Sequence, residues 1–271
     1  MQAYGGPWTL IKLAVLEEYL SFYIKVMNRD VFKLCYIDAF AGSGNVNIKG
    51  IGKISGSAVR ALDHPFDRFI FIEKDELYAD KLREIINIRG NIDAKVELGD
   101  CNELLKNLNS FPWYQEYWRG VIFLDPYAMN LNWASLKVIA KTKAFDVWYL
   151  FPLSALNRVL RRDGQIHSKT RETITKLLGT PDWENEIYYE SPQQTLFGEK
   201  EIERIPINNI KNYIIHRLCD IFPGVADNAL VLRNPINNSP LFLLCFAISN
   251  PNERAIEVSL RGANYILRHT T

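Results

Sequence analysis

The chain is poor in the features that would settle its class at once, and each absence excludes something. It has four cysteines, Cys35, Cys101, Cys219 and Cys245, widely scattered and without a C-x-x-C pair. That spacing offers neither a disulfide framework nor a zinc knuckle, and it reads as reduced thiols in a cytoplasmic protein. The histidines His64, His167, His216 and His269 stand apart from one another, so no metal is expected. The longest apolar run, 241–248, falls far short of a bilayer span, so no membrane partner is expected. The first residues are polar and glycine-rich, unlike a secretory leader. There is almost no net charge, +1, and therefore no global field toward nucleic acid. Repeats and low-complexity segments are absent. A phosphate-binding P-loop is absent too, because Gly50-Ile51-Gly52-Lys53-Ile54-Ser55 lacks the Gly-Lys-Ser/Thr junction.

What is present is ample apolar material, 48% of 271 residues, enough for one large α/β domain or one domain with an insertion. The most telling stretch is Tyr36-Ile37-Asp38-Ala39-Phe40-Ala41-Gly42-Ser43-Gly44, where an apolar strand over 33–39 runs straight into glycines. Hydrophobic periodicity predicts helices over 9–27 (Thr9 as N-cap), 55–62, 75–88, 102–108 and 131–142. Strands are expected over 68–73, 94–98, 121–124 and 146–151, with a loop over 45–54. Near-continuous apolar strands alternating with helices imply a parallel sheet covered on both faces. After Pro152 the pattern changes. Residues 153–226 read as helical or irregular with no sheet strand, basic over 158–176 and acidic over 182–204. Segments 229–233 and 241–249 read as a terminal antiparallel pair. A final helix over 251–267 is expected to start from an Asn250 cap with Pro251 in first position.

The fold expected is therefore α/β and Rossmann-like, a mostly parallel seven-stranded sheet with a helical insertion after strand five. Its divisions are a cofactor-binding core over 1–152, a mainly helical substrate-side insertion over 153–226, and a strand pair and helix over 227–271 that complete the core. In such a sheet a nucleoside cofactor sits beyond the carboxyl ends of the strands. The dinucleotide fingerprint G-x-G-x-x-G is not met, since Asn47 stands three residues after Gly44, which disfavours a nicotinamide oxidoreductase. Four acids end four successive strands: Asp38, Glu73, Asp100 and Asp125. Asp38 would order the glycine loop or accept from a cofactor amino group, and Gly42 and Gly44 would let the backbone close on it. Glu73 would accept the ribose hydroxyls and Asp100 the adenine amino group, with Asp125 at the reacting end. Each acid also has a purely structural alternative: Glu73 or Asp75, and Asp100, as caps of the helices that follow.

The Phe-Ala-Gly-Ser-Gly turn is similar to the first motif of S-adenosylmethionine (AdoMet) methyltransferases. Together with Gly56-Ser57-Ala58, Phe71-Ile72-Glu73-Lys74-Asp75, Gly99-Asp100-Cys101-Asn102, Phe123-Leu124-Asp125-Pro126-Tyr127 and Phe151-Pro152-Leu153-Ser154-Ala155-Leu156, it resembles the three-Cys-motif partner (TcmP) family, most strongly over 8–160. The resemblance implies a class I AdoMet-dependent methyltransferase fold with AdoMet as cofactor. It also implies, as a partner, the product of a neighbouring gene, and it fixes no substrate. Phe40, Lys74 and Cys101 join the cofactor-binding set through these motifs. Asp125-Pro126-Tyr127 further resembles the D-P-P-Y motif of amino-group DNA and RNA methyltransferases, with one proline fewer. That likeness implies that Asp125 accepts from a target amino group, helped by the Pro126 carbonyl, while Tyr127 stacks on a flipped base; alternatively Pro126 and Tyr127 shape the strand end and pack against the cofactor.

The expected activity is methyl transfer to an exocyclic amino nitrogen of a DNA or RNA base. The alternatives are a protein or small-molecule acceptor, or a cofactor-binding partner protein with little catalysis. Arg158, Arg161 and Arg162 are candidate phosphate contacts, or else part of a solvated face neutralised by the acids that follow. Trp113, Tyr114, Tyr117 and Trp118 offer either base stacking or helix packing.

Overall fold

A computed structural model of the chain describes residues 6–194 and 200–270. In chain order the first half comprises α1 (Trp8–Val26), β1 (Lys33–Asp38), β2 (Asn45–Ile48), β3 (Gly52–Ser55), α2 (Ser57–Ala61), β4 (Arg68–Glu73), α3 (Glu76–Arg89), β5 (Ala94–Leu98) and α4 (Cys101–Leu104). After a 3-10 turn, Leu105–Ser110, come β6 (Trp118–Leu124), α5 (Trp133–Thr142) and β7 (Phe145–Phe151). The remainder is α6 (Leu153–Val159), α7 (Ser168–Leu178), α8 (Trp183–Ile187), β8 (Tyr188–Gln194), β9 (Lys200–Arg204), α9 (Ile207–Cys219), β10 (Gly224–Val225), β11 (Leu230–Arg233), β12 (Pro240–Ile248) and α10 (Glu253–His269).

The main sheet runs β5-β4-β1-β6-β7-β12, parallel through β7 and antiparallel at β12. This is the Rossmann-like arrangement expected, with eight strands rather than seven. The extra strand follows from length. β12 has nine residues and β11 only four, so β11 covers one half of the outer edge and the two-residue β10 pairs along the other. All seven residues of β6 and of β7 are buried, as a strand covered on both faces requires. The period-two alternation of side chains feeds two cores. Cys35, Ile37, Ile122 and Leu124 pack with Leu136, Ile174 and Ile214 from α5, α7 and α9. Tyr36, Phe71, Val121 and Phe123 pack with Leu16, Ala58, Leu82 and Ile266 from α1, α2, α3 and α10.

Several expectations shift locally. The 45–54 loop is a β2–β3 hairpin, because Gly50 and Gly52 take the positive φ angles, 83° and 99°, of its turn. The α1 helix starts one residue early, with Pro7 in the cap position and Thr9 buried inside. The α10 helix is capped by Asn252, whose side chain accepts from Ala255 N at 3.1 Å. Asn250 accepts instead from Asn252 N, so Pro251 lies outside the helix. Residues 153–226 carry four helices but also the β8–β9 hairpin and β10. Alternating polar and apolar residues such as Tyr188-Tyr189-Glu190 and Glu201-Ile202-Glu203 form a two-stranded ribbon apart from the main sheet. The aromatic group before β6 is chiefly packing. Trp113 and Trp118 are buried, with their rings 6.0 Å apart.

One buried acid ties three elements together. Asp146 on β7 accepts from Tyr19 Oη of α1 at 2.5 Å and from Ser259 Oγ of α10 at 3.0 Å. Burial pushes its carboxyl up from 3.8 to about 7, against the pull of these two hydrogen bonds. Between those values the folded chain holds a proton that the unfolded chain has released, so Asp146 makes stability fall as pH rises from about 4 to 7. Asp146→Asn should remove that contribution, about 1.4 kcal/mol per pH unit at its steepest. Denaturant titrations at pH 4.5 and 7 check it: the mutant's loss of stability across this range should be smaller than the wild type's.

Candidate functional site

The chain crosses from one half of the sheet to the other between β1 and β6, and at such a point the loops beyond the strands diverge. The segments that follow β1, β4, β5 and β6 surround a cavity of about 440 Å³ there. Its lining includes Phe40, Gly42, Glu73, Lys74, Asp100, Cys101, Asp125 and Tyr127. Eight residues proposed from sequence are thus brought together although they lie up to 87 positions apart (127 − 40).

Glu73 is the organiser of this rim. Its Oε2 accepts from Gly42 N at 2.8 Å, and its Oε1 accepts from Lys74 N and Asp75 N, each at 2.8 Å. One carboxylate therefore fixes both the glycine turn after β1 and the start of the loop after β4. The helix cap is Asp75, which accepts from Tyr78 N, so Glu73 is not the cap of α3. Gly42 and Gly44 take φ angles of 62° and 79°. A Cβ at Gly44 would lie 2.9 Å from Val59 and 3.0 Å from Ile85, so that glycine serves close packing behind the cavity.

Asp100 does cap α4, accepting from Asn102 N at 2.9 Å, and it also lines the cavity. Burial works against its ionisation, but the Asn102 hydrogen bonds and the Lys74 ammonium, 3.4 Å away, hold the carboxyl below the usual range. Cys101 is buried, which together with the charge of Asp100 pushes its thiol up to about 12 and makes it a neutral wall. Asp38 is fully buried behind the lining. It accepts from Phe40 N at 3.1 Å, so in this structure it orders the turn. Burial pushes its carboxyl up to about 7, while hydrogen bonds from Ser57 and Phe40 N pull the other way.

The loop after β6 divides its motif. Pro126 is buried in the strand end, whereas Tyr127 is 78% exposed at the cavity. The Tyr127 ring is open to a ligand rather than packed into the strand end. Asp125 forms an ion pair with Lys12 of α1, the two side chains 25% and 12% exposed.

Sequence reasoning did not single out Lys12 and Asn102, nor Tyr78 and Asn130 of the lining. Asn102 Nδ2 donates to Asp100 at 3.1 Å and to the Asn130 carbonyl at 2.8 Å. Its Oδ1 accepts from Asn132 N and Ser135 Oγ, so it ties the loop after β5 to the loop after β6. Asn102 stood inside a quoted motif and so left a trace, whereas Lys12 is a lysine on a half-buried helix whose partner is 113 residues away.

Arg158, Arg161 and Arg162 do not line this cavity. Arg158 and Arg161 line a surface cleft with His167 and Arg171, while Arg162 lines another with Asp163, Glu203 and Arg204. Among the described residues no cluster of His, Cys, Asp or Glu could hold a metal, and no helix is long and apolar enough to cross a membrane. All four cysteines are free thiols.

Strand order and site position together define a Rossmann-like α/β fold with a ligand site at its switch point. No family model and no curated protein matches the chain. Among solved structures it is similar to protein LPL1258 of Legionella pneumophila, of the DUF519 family model, at 14% identity and a TM-score of 0.56, over 97% of this chain and 93% of that one. It is more distantly similar to the N-terminal domain of EvdMO1, crystallised with S-adenosylhomocysteine (SAH) and D-fucose, at 9% identity and a TM-score of 0.42, over 86% and 82% of the chains. An S-adenosylmethionine-dependent methyltransferase from Clostridium acetobutylicum gives 12% identity and a TM-score of 0.37, over 86% and 91%. Identities of this order speak to fold alone.

Replacing Glu73 by Ala should release three backbone amides at once. A hydrogen bond to a charged acceptor contributes about 1.5–3 kcal/mol. Hydrogen exchange should therefore accelerate at Gly42, Lys74 and Asp75 while the amides of β6 and β7 stay protected. Unchanged exchange at Gly42 would mean that Glu73 does not hold the turn.

Proposed function

We propose that the protein transfers a methyl group from AdoMet to an exocyclic amino nitrogen of a nucleic-acid base. The observation that carries this is the single cavity at the β1/β6 divergence, with Asp125 and an open Tyr127 ring at its rim. Its volume lies within the ordinary range for small-ligand sites, roughly 300–1,000 Å³. The lining carries three carboxylates, Glu73, Asp100 and Asp125, against one ammonium, Lys74, which suits a ligand of net positive charge such as AdoMet. The resemblance of its motifs to the TcmP family and to amino-group methyltransferases supports the same reading.

In this arrangement Glu73 would hold the ribose, because its Oε2 accepts one hydrogen bond among the described residues and keeps acceptor capacity. Asp100 would accept from the adenine amino group, and Phe40 and Cys101 would supply apolar walls. AdoMet held there would supply an activated methyl, passed to nitrogen as the S–C bond breaks with its electron pair left on sulfur and a proton released from nitrogen to solvent. Alignment is the protein's main contribution. Asp125 orients the amino group by accepting a hydrogen bond from it, helped by the Pro126 carbonyl, while Tyr127 offers a face for the base.

Calorimetric titration should show AdoMet and SAH binding to the folded wild type, and absence of binding overturns the reading. Asp125→Ala should leave AdoMet affinity within a few-fold, for Asp125 sits at the reacting end, and should abolish transfer of radiolabelled methyl to nucleic acid from cells lacking the gene. Equal transfer by mutant and wild type removes Asp125 from the mechanism. Labelling of protein or small molecules instead moves the acceptor class.

Phosphate contacts belong to the cleft lined by Arg158, Arg161, His167 and Arg171, whose lining includes no carboxylate. Arg161 and Arg171 are paired from outside with Asp163 and Glu184, at 2.8 and 2.5 Å, while Arg158 has no ion-pair partner among the described residues. Arg162, beside Asp163 and Glu203 in a cleft of mixed charge, is the weaker candidate. Replacing Arg158, Arg161 and Arg171 by Ala should flatten the log–log salt dependence of binding by about two to three, roughly 0.7–0.9 per lost phosphate contact. An unchanged slope assigns the cleft to surface solvation.

A further inference from the structure

We propose that Lys12 is a positioning residue whose ammonium neutralises Asp125, so that the reacting end of the site admits a neutral amino nitrogen and turns away an alkylammonium. The proposal rests on the AdoMet reading above and narrows its acceptor class.

Lys12 reaches the end of β6 from the first turns of α1, and the ion pair is largely withdrawn from water. In such a setting an opposite charge counts for more than it does on an open surface. Lys74 lines the same cavity but is turned to Asp100, 3.4 Å away, and the groups behind Asp125 are acidic or neutral. Asp38 and Tyr36, both from β1 and both fully buried, feel its negative charge, and Tyr127 follows it in the same loop. Lys12 also acts on Asp38, drawing its carboxyl down against burial. Removing Lys12 would leave Asp125 beside another acid with no ion-pair partner among the described residues.

The consequence concerns what Asp125 can hold. Its Oδ2 is taken by Lys12, and its Oδ1 accepts nothing from the described residues. A carboxylate already paired offers a hydrogen-bond acceptor but little net charge. That suits a nucleobase amino group, which is neutral and donates. A protein lysine or other alkylammonium would bring a second positive charge next to Lys12 and find its counter-ion engaged. Selection against it is by repulsion as much as by attraction toward the correct group.

The charge at this point can be read without knowing the acceptor. Sinefungin is the AdoMet analogue in which an amine-bearing carbon replaces the methyl sulfonium, so its ammonium stands in for a cation at the reacting end. SAH carries no charge there. The dissociation constants of both compounds are measured calorimetrically on the full chain. In Lys12→Met the ratio of the SAH constant to the sinefungin constant should rise about tenfold over wild type, while SAH affinity itself changes less than about threefold. The ratio should return to the wild-type value in Lys12→Arg and in Lys12→Met combined with Asp125→Asn. A purely structural role for Lys12 would weaken both ligands together and leave the ratio in place. Lys12→Gln serves equally should Lys12→Met not fold. A ratio within twofold of wild type, with SAH binding retained, overturns the assignment of Lys12. Failure of wild type to bind SAH overturns the AdoMet reading itself and this proposal with it.

Discussion

The site depends first on the pairing of β1 with β6. These strands are neighbours in the sheet but 85 residues apart at the paired positions Lys33 and Trp118 (118 − 33). The chain builds β4 and β5 on one side of β1, then crosses to build β7 and β12 on the other. Loops leaving β1 and β6 must therefore part, and the crevice between them is where a ligand can enter without unsealing either core. Burial of Ile37 and Ile122 on one face, and of Tyr36 and Val121 on the other, holds the register. A slip by one residue would exchange the faces of every side chain.

The acids of the core and of the crevice divide by their surroundings. Asp38 and Asp146 are sealed in the interior, where burial raises their carboxyls to about 7, and both serve to position backbone or neighbouring helices. Glu73, Asp100 and Asp125 stand at the cavity, and each has a partner that leaves part of its acceptor capacity for a ligand. The same residue type is thus used for two tasks, and the difference is access to water and to donors rather than chemistry.

Residues 153–226 show where local pattern fails. The helices α7 and α9 follow from their apolar stripes, Ile174 with Leu177 and Leu178, and Ile210 with Ile214 and Leu218. The β8–β9 ribbon does not, because Tyr189 and Ile202 are left exposed beside Glu190 and only Tyr188 packs on the core, so no continuous apolar stripe marks it. The basic and acidic halves do meet, in the Arg171–Glu184 ion pair, but much of the arginine surface remains free of it.

The sequence by itself determined the order of the parallel strands and their helices up to β7, the glycine turn and the four acids at strand ends. These are local facts, set by periodicity, by the left-handed backbone that Gly42 and Gly44 permit, and by which residue follows the last apolar one. It did not decide whether Asp38 would face a ligand or the interior, nor that Arg162 would part from Arg158 and Arg161. It did not decide that Lys12 would meet Asp125. Those outcomes depend on contacts between segments far apart in the chain, and no spacing rule encodes them. Only the packing of α1 on the sheet face, with α2 and α10, brings that ammonium to that carboxylate, and only the assembled sheet makes one acid interior and the next a wall of the cavity.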